Sequence, residues 1–177
     1  IGLSAMFAME RQLGTLRRVL VTPTSKATYV AGTVLGQVLT AVVQMALLVG
    51  FGALVLKLNW GHSPGATALM ITTSALAAGA LGTMLGTFVK TEAQGNGLSI
   101  MIGMVMAMMG GCWYPIELFP GVMRSAAQAL PTYWSMQGML DILVRGQGVQ
   151  GVLLESAILL VFALVFFVIG VLRFKYE

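Results

Sequence analysis

The stretch KATYVAGTVLGQVLTAVVQMALLVGFGALVLK, residues 26–57, decides the fold. Lys26 and Lys57 bracket about 30 positions without a charged side chain, and a helix of that length reaches roughly 45 Å. The hydrocarbon core of a bilayer is about 30 Å thick. The stretch predicts a membrane-spanning helix, placed at residues 29–56. Three further apolar segments of spanning length follow, at residues 66–89, 93–112 and 152–172. Between the first two lies the polar turn Asn59-Trp60-Gly61-His62-Ser63-Pro64-Gly65, where proline and glycine stop a helix. Trp60 suits a membrane interface. The predicted fold class is an all-α integral membrane protein with four transmembrane helices.

Composition excludes the soluble alternative. The 177 residues are 58% hydrophobic and 9% charged, with a mean hydropathy of +0.89, against about 25% charged in an ordinary soluble domain. A soluble domain of this size has too much surface to hide that apolar content. The 22 glycines and 13 methionines fit membrane helices, whose backbones approach closely at small residues. A net charge of +4 and a pI near 9.6 raise the question of nucleic acid. The cations sit at span ends rather than on one soluble face, so no nucleic-acid partner is expected. A single cysteine, Cys112, permits no intrachain disulfide and reads as a small apolar residue in a membrane helix.

The cations instead orient the chain. Arg11, Arg17, Arg18 and Lys26 precede the first span, Lys90 separates the second and third, and Arg173 and Lys175 follow the fourth. Four spans gather these on one side, leaving Lys57, Arg124 and Arg145 on the other. The positive-inside rule makes the first side, and with it the C-terminus, cytoplasmic. Residues 1–9 read as the end of a preceding membrane helix. Gly32 and Gly36, and Gly79, Gly82 and Gly86, recur at helix-packing intervals; packing within the bundle is the simpler meaning and a dimer contact the alternative. The spans carry almost no ionisable groups. Glu155 is the nearest candidate, placed at the outer interface, which argues against an ion channel or a proton-coupled carrier.

No Gly-x-x-x-x-Gly-Lys-Ser/Thr loop occurs, so no nucleotide-cradling site is expected on this chain. The lone histidine, His62, lies in an outer turn. No metal motif, paired carboxylates or Ser/His/Asp set can be assembled, so the chain is not expected to be an enzyme or to hold a cofactor or metal.

Two segments are not spans. In residues 10–25, Leu13, Leu16 and Leu20 share one helical face, while Gln12, Arg17 and Arg18 take others. Pro23 ends the segment. It predicts a short amphipathic helix at the cytoplasmic face, equally able to lie on anionic lipid or to dock a protein. Residues 113–150 hold Trp113, Tyr114, Phe119, Tyr133 and Trp134 with Pro115, Pro120 and Pro131. That density of aromatics and prolines predicts an interfacial belt of short broken helices.

Glu10, Gly14, Thr15, Leu16, Leu20, Val21, Thr22 and Pro23 resemble the segment between the second and third helices of ABC-2 type transporter permeases. Gly110 to Pro120, with Gly111, Pro115, Phe119 and Pro120, resembles that family's Gly-x-x-x-Pro-x-x-x-x-Pro stretch, and Leu130-Pro131-Thr132-Tyr133 its Leu-Pro-x-Tyr/Trp element. The likeness runs over nearly the whole chain, in order. It implies the C-terminal portion of a six-helix permease in the cell (inner or plasma) membrane of a prokaryote. It also implies a coupling helix, built from Glu10, Leu13, Gly14, Thr15, Leu16, Arg17, Arg18, Leu20 and Pro23, that docks on a separate ATP-binding subunit. ATP and Mg would be held by that subunit. A second permease copy would complete a dimer, and a hydrophobic or amphipathic small molecule would be exported. Gly111, Pro115, Phe119, Pro120, Pro131, Tyr133 and Trp134 would belong to re-entrant helices that close the outer end; an amphipathic plug without a gating role is the plainer alternative. A membrane anchor or scaffold, or a secondary carrier, are the rival functions.

Overall fold

The computed structural model describes residues 26–57, 60, 63–89 and 91–173. The expected coupling helix at 10–25, the segment 1–9, His62, Lys90 and Lys175 lie outside the described residues. Within them the chain forms six α-helices: α1 (Lys26–Leu54), α2 (Pro64–Gly86), α3 (Glu92–Met109), α4 (Gly121–Ala127), α5 (Pro131–Leu143) and α6 (Leu153–Arg173). Short 3-10 turns occupy Ile116–Leu118 and Val149–Val152.

Local chemistry sets the boundaries. Ser63 caps α2 by accepting from the Ala66 amide, with Pro64 in the first turn, where its missing N–H costs nothing. Thr91 caps α3 by accepting from the Gln94 amide, and Glu92 in that first turn suits the positive end of the helix dipole. The third apolar segment was expected to run to Cys112. The helix stops at Met109 instead, because Gly110 caps it and Gly111 turns the chain with φ +87°, a conformation that favours glycine. Cys112 therefore lies in an exposed turn rather than in a span.

Among the described residues, three helices are long and apolar enough to cross a membrane: Ala27–Leu54, Pro64–Gly86 and Val149–Arg173. The expected count was four. α3, with 18 residues, is roughly 27 Å long, but its opening Glu92-Ala93-Gln94-Gly95-Asn96 makes it too polar to join the other three.

α2 is the hub, packing against α1, α3, α5 and α6. Apart from the fully buried Met70, its buried face is small and hydroxylic: Ala66, Thr67, Thr73, Ala77, Gly79 and Thr83. The threonines satisfy their own hydroxyls by donating to carbonyls one turn back, Thr73 to Leu69 at 2.9 Å and Thr83 to Gly79 at 2.8 Å, so a polar face can be buried without cost in unpaired groups. α1 runs antiparallel to α2, with Val34 and Val38 against Gly79. α6 runs parallel to α2: Ser156 bonds to Met70, and Gly170 lies against the Met84 backbone. Large apolar side chains point the other way. Leu39 and Leu47 on α1 and Leu164 and Leu172 on α6 are all more than 60% exposed. That inverted distribution fits a chain whose solvent is lipid.

Of the glycines spaced for packing, Gly79 is a helix contact. Gly32 and Gly36 face open space among the described residues.

Candidate functional site

A cavity of about 360 Å³ runs between α1, α2 and α3. Gln37 and Gln44 line it from α1, Ser74 from α2, and Ser99 from α3; the rest is chiefly alanine, glycine, leucine and methionine. The first residues of α5, Pro131, Thr132 and Ser135, form its roof. α5 reaches that place because it descends antiparallel beside the first turns of α2. Ser135 meets Ser74 at 2.9 Å, oxygen to oxygen, and Ile142 joins Ala66 and Val152 in a buried cluster near the start of α2.

Three close approaches hold α5. The Thr132 hydroxyl donates to the Met106 carbonyl of α3 at 2.7 Å. Gly110 allows this, since a Cβ there would stand 2.6 Å from Thr132 Cβ. At the next level Gly138 lies against Met70; a Cβ there would stand 2.7 Å from the Met70 sulfur. Gly138 and Thr132 were not singled out from sequence. One glycine and one threonine in a short helix carry no pattern, and only their distant partners mark them.

The residues expected at the outer gate divide into two groups. Pro131 is buried as the first residue of α5, and Trp134 packs into the α2–α5–α6 cluster while its indole N–H donates to the Gln128 carbonyl at 2.8 Å. Tyr133 packs edge-on against Trp134, centroids 5.1 Å apart. Gly111, Pro115, Phe119 and Pro120 lie apart from the cavity roof, in the connection between α3 and α4. Pro115 and Pro120 start the 3-10 turn and α4, and Phe119 ends the turn. Gly111 and Pro115 border a second hollow of about 390 Å³ with Trp113, Glu117, Gln137 and Arg145.

Two acidic residues are buried, Asp141 on α5 and Glu155 on α6. Asp141 is paired with Arg145 one turn on. Glu155, expected at an interface, is only 8% exposed, because α5 folds back over the start of α6 and Gly138 leaves room for it. Its Oε2 has no hydrogen-bond partner among the described residues. Neighbouring groups desolvate the Cys112 thiol and push its pKa up, so it is not an activated nucleophile. Among the described residues no cluster of three or more His, Cys, Asp or Glu side chains could hold a metal.

Comparison with known proteins places this arrangement. The chain is 28% identical over 96% of its length to the linearmycin resistance permease protein LnrN of Bacillus subtilis (strain 168), covering 44% of that protein. It is 32% identical over 81% of its length to YvfS of the same organism, named as a candidate transport permease, covering 58% of it. The chain thus spans about half the length of these relatives. No solved structure matches it. A family model described as ABC-2 family transporter protein matches residues 1–172. A hub of small-residue helices, lipid-type outer faces and that match agree: the chain belongs to the ABC-2 family of membrane transport permeases.

Proposed function

We propose that this chain is the C-terminal part of a permease subunit that exports a hydrophobic or amphipathic small molecule, driven by ATP hydrolysis on a separate ATP-binding subunit. The observation that carries it is the cavity between α1, α2 and α3, roofed by α5. A pathway for an apolar cargo needs a lined space within the helices and a movable closure at one end, and α5 supplies the closure. The name of LnrN, a permease of resistance to linearmycin, supports a drug-like cargo. In this proposal α3 is a fourth span, the α5 end faces outward, and the cell membrane holds the protein.

Residues 10–25 would form the coupling helix, with Glu10, Leu13, Gly14, Thr15, Leu16, Arg17, Arg18, Leu20 and Pro23 meeting the ATP-binding subunit. ATP and Mg would be bound by that subunit, and a second permease copy would complete the pathway. Closure of the ATPase shifts the permease only if it contacts the inward- and outward-open states unequally. The test reconstitutes the full-length protein with its ATPase and replaces Gly14 and Leu16 with Asp. Complex assembly and stimulated ATP turnover should both fall at least tenfold, corresponding to about 1.4 kcal/mol or more of lost docking. Survival of both would overturn the docking assignment.

A further inference from the structure

Gln37 and Gln44 both line the cavity. They are seven residues apart on α1, two helical turns, which puts them on one face roughly 10 Å apart along the axis. Neither amide has a hydrogen-bond partner among the described residues. An unsatisfied amide is costly in a membrane interior, where no water is at hand to pair it. Serines line the opposite walls, Ser74, Ser99 and Ser135, and Ser74 and Ser135 bond to each other. Among the described residues no charged side chain lines the cavity, so a ligand's full charge would enter it unpaired. The volume of about 360 Å³ falls in the range of small-molecule sites, about 300–1,000 Å³.

We propose that the cavity binds an uncharged amphipathic molecule, an apolar chain bearing hydroxyl or carbonyl groups roughly 10 Å apart, which the Gln37 and Gln44 amides receive. This deepens the transport proposal and rests on it for the meaning of the site, though not for the binding itself. Each amide can donate to a ligand oxygen and accept from a ligand hydroxyl. The alanine and glycine walls take the chain between. Anions and cations of the same length are rejected, because nothing among the described lining residues compensates their charge.

The test uses the full-length protein in lipid nanodiscs, with Cys112→Ser as background and Ile102→Cys as a reporter on the α3 wall. Alkylation of the reporter by N-ethylmaleimide is measured against 1,7-heptanediol, whose oxygens lie roughly 10 Å apart when extended, and against 1-heptanol, heptanoate and heptyltrimethylammonium. The diol should half-protect at a concentration about five- to tenfold below that of the alcohol, with the ions weaker still. Gln37→Leu and Gln44→Leu should each bring the diol to the level of the alcohol. A Leu164→Cys reporter on the lipid face should be unaffected by any of them.

Equal protection by the diol and the ions, or diol protection unchanged in both Gln variants, would overturn the proposal. So would a reporter that is unreactive in the full-length protein, since another helix would then fill the space. Intact diol selectivity with no ligand-stimulated ATP turnover would fail the transport reading and uphold the site; stimulated turnover without diol selectivity would do the reverse.

Discussion

Glu155 and Gly138 meet where α5 crosses the start of α6, and each makes a distinct demand. The Glu155 carboxyl is buried with one oxygen unpaired, a burden of about 1–3 kcal/mol. Glu155→Met keeps the length and removes the polar atoms. It should stabilise the protein by about 1–3 kcal/mol, seen as a higher midpoint in thermal unfolding in detergent. Gly138→Ala should do the opposite, losing about 1–3 kcal/mol through overpacking against Met70. In a Met70→Ala background, itself less stable by about 2–5 kcal/mol, the Gly138→Ala penalty should shrink, because the two positions share one space; simple additivity would show that the contact is not the cause. Neither position was legible beforehand. Hydropathy places Glu155 near a span end, where a carboxylate normally meets water, and nothing local announces the helix that covers it. Gly111 differs: a Gly-Gly pair after an apolar run is a local stop signal, and its positive φ explains why the helix ended before Cys112.

At the scale of elements, α5 is the piece whose attachment can be tested. It is tied to α3 through Thr132 and to α2 through Ser135. Thr132→Val keeps the shape and deletes the bond to the Met106 carbonyl. It should cost about 1 kcal/mol and speed hydrogen exchange in α5 more than in α2. Ser74→Cys with Ser135→Cys, made with Cys112→Ser, brings two sulfurs to a place where the oxygens are 2.9 Å apart. Oxidation should form a disulfide that pins the roof, abolishing the proposed transport while leaving ATP binding by the proposed partner subunit intact; full transport by the oxidised protein would show that α5 does not move. Prolines at 115, 120 and 131 and the aromatics around them marked this region as broken helices, since proline removes donors and fixes φ wherever it stands. The folding of α5 back against α2 could not be read from them. It depends on residues more than 60 positions apart, and no local periodicity encodes such a pairing.

For the whole molecule, the distribution of apolar residues is set by the solvent. α1 and α6 turn leucines outward and α2 keeps its hydroxyls and glycines inward. Leu164→Arg, near the middle of α6 and 63% exposed, should lower membrane insertion by about 2.5–3.5 kcal/mol. Leu164→Ala should change it little, as measured in a glycosylation-reporter insertion assay. The spans were legible because the bilayer's requirement is a sum over consecutive residues. α3 is where that sum runs low, its polar first turn offsetting the methionines and isoleucines that follow. The cavity was illegible for a different reason: Gln37 and Gln44 look like isolated interruptions of a span until the serines of α2 and α3 stand opposite them.

The parallel seating of α6 on α2 also bears on how the protein is made. Ser156 and Met70 are 86 residues apart in the chain, and at about 5–20 residues per second α2 leaves the ribosome about 4–17 s before its partner does. During that wait its polar face has only lipid and early neighbours beside it. Thr67, Thr72, Thr73 and Thr83 each donate to a carbonyl of the preceding turn, so the helix enters the bilayer with those groups already satisfied. Ser74 donates instead to Ser135 of α5, which is made before α6, so the late arrival of α6 completes the packing without having to rescue a stranded donor on α2.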